Sequence, residues 1–127
     1  AIAYLKERKV DCAFLALHGP FGEDGRIQGL FDFCGIPYTG SGCAASALSM
    51  DKIHAKAVAR DAGLPVAADL IVTRTDWIRD RAAVLAFVAA DLGFPCVAKC
   101  PNQGSSLGMA IPPNEKELGE ALSKLFE

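Results

Sequence analysis

The sequence predicts an α/β chain in which a parallel βαβ unit is followed by a small α+β region, and three observations carry that expectation. The run CAFLAL at 12–17 is continuously apolar, as a strand buried on both faces is. In GRIQGLFDFCGIPYTG, residues Ile27, Leu30, Phe31 and Cys34 fall at i, i+3, i+4 and i+7, a helical stripe, and a second short strand candidate, IPYT, follows it. Beyond residue 50 the segments read β-α-β-β-α, which predicts helices packed on a small antiparallel or mixed sheet.

Residues 1–8 read as the tail of a helix, and Asp11 and His18-Gly19-Pro20 bound the first strand. Gly35 is placed to stop the striped helix, and Asp24 to cap its start. GSGCAASALSMD is rich in small residues and marks a boundary, with a short helix over Ala44–Ser49. Asp51 then caps a helix through Ala62, closed by Gly63 and followed by Pro65. A strand is expected near Ala68–Arg74, and a helix over Arg81–Leu92 with Val84, Leu85, Val88 and Leu92 inward and Gly93 as its stop. Phe94–Cys100 reads as a strand and Met109–Ile111 as its hairpin partner. Asn114 with Glu117 opens the last helix, whose buried stripe is Leu118, Ala121, Leu122 and Leu125.

Composition narrows the function classes. The chain is 51% apolar and 22% charged, with net charge −2 and its basic residues dispersed, which argues against a nucleic-acid footprint or an anionic membrane surface as partner. Its apolar runs are too short to span a bilayer and its first residues do not read as a secretory signal, so a cytoplasmic location is expected. The five cysteines, Cys12, Cys34, Cys43, Cys96 and Cys100, are odd in number and include no Cys-x-x-Cys pair. They read as buried reduced thiols rather than a disulfide framework or a zinc site.

The stretch KCPNQGSSLGM at 99–109 is the principal candidate for chemistry. It lacks the lysine placement and the following helix of a P-loop, and the following helix of a dinucleotide fingerprint. What remains is a strand–loop–strand flap whose amides from Gly104 to Leu107 are free to face an anion, with Lys99 as the adjacent point charge. On its own it reads rather as an exposed hairpin turn with a surface lysine.

Taken together and in order, HGPFGEDGRIQG at 18–29, GIPYTGSGCAASALSMDK at 35–52 and KCPNQGSSLGM at 99–109 resemble the bacterial D-alanine–D-alanine ligases of the ATP-grasp superfamily. The resemblance covers nearly the whole chain and implies less than half of such an enzyme. Residues 1–45 would close a Rossmann-like pre-ATP-grasp domain, and 46–127 would form the first, α+β, ATP-grasp subdomain. The family joins two D-alanines at the expense of ATP. The first carboxylate attacks the γ-phosphate to give an acyl phosphate, which the second amine then opens. That chemistry concentrates negative charge and calls for fixed cations and a lid against water.

Residue by residue, the resemblance implies that Lys52 and Lys99 reach nucleotide phosphates and that Ser105 positions the first substrate. Ser106 offers its amide to the β-phosphate, and Gly104 and Gly108 are the joints of the loop. His18 stands beside the first D-alanine, while Glu23 organises that corner by bonding to the histidine or to the substrate ammonium. ATP is the nucleotide, and Mg2+ ligands are expected outside this chain. D-alanine is the small-molecule partner, and a homodimer is expected of the full-length enzyme. D-alanyl-D-lactate or D-alanyl-D-serine ligases would share these residues, and a non-catalytic, weakly nucleotide-binding fragment is the alternative for the 127 residues alone. One departure stands out: the family commonly has proline directly after the second lysine, where this chain has Cys100, with proline next at Pro101.

Overall fold

The computed structural model describes residues 2–104 and 108–127. The chain divides into two compact units, one of Ala1–Val58 with Asn102–Ser105 and the other of Ala59–Pro101 with Ser106–Glu127.

In the first unit, α1 (Ile2–Glu7) leads into the CAFLAL segment. The expected parallel pairing is present, but as a single bridge between Ala13 and Tyr38 rather than a strand. The Ala13 amide donates to the Pro37 carbonyl at 2.8 Å and the Thr39 amide to the Ala13 carbonyl at 3.0 Å. One position further on, the Leu15 amide turns to the Thr39 hydroxyl at 3.1 Å, and the ladder ends. Phe14 is 81% exposed and Leu17 53%, so the run is not the doubly buried strand that its apolar character predicts. Pairing along one edge for one rung leaves most of those side chains without a layer to pack against.

Helix α2 (Arg26–Cys34) ends as expected, with Gly35 at φ 66° and its amide bonded to Asp32 O, while the Ile36 amide returns to Phe31 O at 3.0 Å. Its buried face differs from the expected stripe. Gln28 and Phe31 are buried, whereas Leu30 is 42% exposed. The cause is the neighbour: α2 packs on α3 (Cys43–Met50) through its glycine edge, where a Cβ on Gly29 would stand 3.2 Å from Cys43 Sγ. The close side of α2 is therefore the one carrying Gly25, Gln28 and Gly29. The Phe31 ring tilts against Tyr38 at 5.8 Å. Burial, then the hydrogen bond to Asp32, pushes the Tyr38 phenol above its ordinary pKa. Asp51 caps α4 (Lys52–Asp61) as predicted, accepting from the amides of Ile53 and His54 at 3.0 and 3.2 Å.

The second unit is built on α5 (Arg74–Arg79), α6 (Arg81–Asp91), the two-residue strands β1 (Ala98–Lys99) and β2 (Met109–Ala110), and α7 (Glu115–Phe126). Trp77, Val88, Leu118 and Leu122 form its buried core, with Val84, Leu85, Phe94, Cys96 and Leu125 packed around them. The stripes read for the last two helices thus face inward, apart from Leu92, which is 38% exposed. Where a strand is expected near Ala68–Arg74 there is none, and α5 begins instead. Thr73 and Asp76 close a capping box, the Thr73 hydroxyl accepting from the Asp76 amide at 3.1 Å and the Asp76 carboxylate from the Thr73 amide at 3.3 Å. That reciprocal pair satisfies the first turn of a helix directly after a β-branched run that looks like a strand. The expected strand Phe94–Cys100 contracts to Ala98–Lys99. Nor are the cysteines deeply buried: all five are free thiols, Cys12 and Cys43 exposed and the other three half-buried.

The hairpin pairs Ala98 with Ala110 and Lys99 with Met109. The Cys100 amide extends it by donating to Gly108 O at 2.9 Å. Gly108 has φ 62°, and a Cβ there would stand 2.7 Å from Cys100 Sγ. Both the backbone and the space require glycine at this position. Gly108→Ala should destabilise the second unit by about 1–2 kcal/mol from the left-handed backbone alone, with the clash in addition. Adding Cys100→Ala should return only the steric part, as read by urea unfolding of the single and double variants. Full recovery in the double variant would show that the backbone is not the constraint.

Asp76 is held below the ordinary carboxylate range, first by the Thr73 hydroxyl, then by the Thr73 amide, with the Arg79 guanidinium adding to both. Asp51 is lowered first by the His54 side chain and then by the His54 amide. A carboxyl with a lower pKa folded than unfolded contributes stability that is present above its unfolded value and lost as pH falls through its folded one. Stability should therefore drop as the solution is acidified below about pH 4, and Asp76→Asn should shrink that drop. Chemical unfolding across the acid range measures it, and an identical acid dependence in the variant would contradict the assignment.

Candidate functional site

Between the CAFLAL segment and α2 the chain reverses over Gly19–Gly25, and side-chain acceptors fasten the reversal. The amides of Gly22 and Glu23 both return to Gly19 O at 3.1 Å. The Glu23 carboxylate closes the ring from the other side, accepting from the Gly19 amide at 2.5 Å. Asp24 takes the Phe21 amide at 2.9 Å and the Arg26 amide at 3.2 Å. These two contacts, Phe21 first, hold its carboxyl below the usual range, with the Arg26 charge contributing. The N-cap position expected for Asp24 belongs to Gly25, which has φ 87° and no side chain to offer, so Asp24 satisfies the first helical amide from one residue earlier. Gly22 is a close-approach position, since a Cβ there would meet Leu17 Cβ at 2.6 Å. The Arg26 guanidinium lies over the Phe21 ring at 4.6 Å.

His18 directly precedes this ring and is exposed. Glu23 bonds the amide of the residue that follows His18, which fixes the peptide on which the imidazole is carried. In the same unit Lys52, the first residue of α4, is half-buried, and its ammonium donates to the Gln103 carbonyl at 2.6 Å. Next to that carbonyl is Gly104, where a Cβ would lie 3.8 Å from Glu23 Oε2. One structural unit thus brings together Glu23, Lys52, Gln103 and Gly104. Gly104 has neither a left-handed backbone nor a crowded Cβ position, so of the two expected joints only Gly108 requires glycine on structural grounds.

Lys99 and Gly108 belong to the second unit. Lys99 is exposed on β1 opposite Met109, one rung from the core-facing Ala98–Ala110 pair and next to the Gly108 turn. The departure from the family pattern at Cys100 has a visible use there: a proline has no amide to donate to Gly108 O. Ser105 and Ser106 lie outside the described residues. Among the described residues, no group of three or more His, Cys, Asp and Glu side chains is placed to hold a metal ion, and no helix is long and apolar enough to cross a membrane.

Two participants were not anticipated from the sequence. Gln103 enters through its backbone carbonyl, which carries no signal in residue type. Gln28 is buried on α2, and its amide group donates to Gly22 O at 3.0 Å. Its only sequence signal is a polar residue one position after the predicted stripe begins.

Comparison with known proteins identifies the family. The family described as D-ala D-ala ligase N-terminus matches residues 3–41, and the one described as D-ala D-ala ligase C-terminus matches residues 58–127. A D-alanine–D-alanine ligase of Desulforudis audaxviator is 49% identical over 114 residues, covering 90% of this chain and 36% of its own length. Among solved structures, the D-alanine–D-alanine ligase of Coxiella burnetii superposes with a TM-score of 0.81 at 31% identity, over 91% of this chain and 34% of that one. The VanG D-Ala:D-Ser ligase of Enterococcus faecalis gives 0.78 at 35% identity, over 92% of this chain and 33% of that one. The chain therefore spans roughly a third of the length of the relatives it matches. By the match over residues 58–127, more than half of its length, the chain belongs to the D-alanine–D-alanine ligase family.

Proposed function

We propose that this chain is the part of an ATP-dependent ligase that handles nucleotide phosphates and the first substrate, in an enzyme that joins two D-alanines for peptidoglycan synthesis. The observation that carries the reading is the Lys52 ammonium, half-buried and hydrogen-bonded to the Gln103 carbonyl at the base of the glycine-serine loop. A cation anchored beside a run of peptide amides is the donor set that a polyphosphate requires. ATP, when bound, supplies the phosphoryl group that activates a carboxylate.

The residues of this chain then divide the work. Lys52 and Lys99 neutralise phosphate charge, and the Ser106 amide and the Gly104–Gly108 loop cover it from water. Ser105 and His18 place the first D-alanine, with Glu23 fixing the Gly19 peptide from which His18 extends. Residues 1–45 end the pre-ATP-grasp domain and 46–127 form the first ATP-grasp subdomain of this reading. The described residues do not fit a Mg2+ site. The full-length protein is proposed to work as a cytoplasmic homodimer.

The full-length protein that carries this chain, given ATP, Mg2+ and D-alanine, should release phosphate only when D-alanine is present, and absence of that dependence would overturn the reading. Lys52→Met should weaken ATP binding by about tenfold or more, the worth of a charge-assisted hydrogen bond, with little change in the D-alanine requirement. Because one structural neighbour is named a D-Ala:D-Ser ligase, D-serine and D-lactate belong in the assay as competing second substrates. For the 127 residues alone we propose nucleotide binding without turnover, since among the described residues no metal-holding cluster exists. Dipeptide synthesis by that polypeptide would refute this.

A further inference from the structure

Gln28 is 6% exposed, a nearly complete burial for an uncharged polar side chain in the first turn of a helix. Its Nε2 donates to Gly22 O at 3.0 Å, six residues back, across the base of the Gly19–Gly25 reversal. Gly22 is itself buried and is pressed against Leu17, so its carbonyl has little access to water. The other end of the Gln28 amide, Oε1, is buried with no hydrogen-bond partner among the described residues. A leucine or methionine would fill the same volume without leaving an acceptor unsatisfied, so packing alone does not account for a glutamine here.

We propose that Gln28 is a positioning residue for the Glu23 corner. It ties the rigid α2 to the carbonyl of the residue immediately before Glu23, and Glu23 in turn fixes the Gly19 amide behind His18. The sequence of contacts is α2, Gln28, Gly22, Glu23, Gly19, His18, all within one unit. Without the Gln28 anchor the reversal keeps its Asp24 and Gly19 bonds and the bond from the Ile27 amide to Phe21 O, but the Gly22 carbonyl beside Glu23 loses its tie to the first turn of α2. The importance of the corner for the first substrate rests on the ligase reading above; the anchoring itself does not.

The test compares full-length wild type with Gln28→Met, which keeps volume and removes both the donor and the unsatisfied acceptor. Amide hydrogen exchange should accelerate about tenfold, the equivalent of one lost hydrogen bond, at Gly22 and Glu23, with α7 amides and the thermal midpoint unchanged. Exchange unchanged at those two amides, or accelerated throughout the unit, overturns the proposal. In the ligation assay KM for the first D-alanine should rise while KM for ATP stays within about twofold, because the corner and the phosphate loop have separate anchors. A parallel rise in both constants overturns it. Should Gln28→Met not fold, Gln28→Leu, which also removes the donor without adding charge, is read by the same exchange experiment. If wild type shows no D-alanine-dependent phosphate release, the ligase reading falls and the exchange result still decides the role of Gln28.

Discussion

A chain with so little regular sheet has to satisfy its backbone amides by other means, and here acceptor side chains do so at nearly every change of direction. Glu23 and Asp24 hold the reversal before α2, and Asp51 opens α4. Thr73 with Asp76, Asp80 and Asn114 open α5, α6 and α7 in turn. Each places an oxygen against N–H groups that the turn or the first turn of the helix leaves unpaired. The candidate site inherits its geometry from the first two of these. The carboxylates that terminate the turn also determine where the His18 peptide sits.

How much of this was legible depends on whether the determinant is local. Caps and stops are local, and Asp51, Gly35, Gly93 and the Asn114–Glu117 pair are where the sequence puts them. The buried stripe of α7 is likewise written in its own residues, Leu118 and Leu122. Ile71 and Val72 run into Thr73-x-x-Asp76, and reading the β-branched pair before the capping box turned a helix start into a strand. CAFLAL failed for the opposite reason: whether an apolar run becomes a strand is decided by its neighbours, and the pairing amounts to one bridge. The inward face of α2 was set by the glycine edge that meets α3, which moved Gln28 inside and Leu30 outside.

The site strings were legible as a family resemblance, and the comparisons bear that resemblance out. Their physics was less so. The sequence offers Glu23 as a partner for His18 or for the substrate ammonium, and folding commits it to the Gly19 amide. It offers two glycines as equivalent joints, and only one has a backbone that other residues resist. It marks Cys100 as an anomaly, and the hairpin uses the amide that a proline would have lacked. In each case the residue type was visible and its contact was not, because the contact is set by how the backbone within the motif folds rather than by the residue type.

Lys52 carries a similar commitment, with a thermodynamic corollary. Its ammonium is engaged with a peptide oxygen of its own chain. An ammonium carries three N–H donors, so this bond fixes where the cation stands without using up its capacity for a second acceptor. The conformational freedom of a long lysine side chain is thereby given up on folding rather than at the moment an anion arrives, and the cation is held in position in advance.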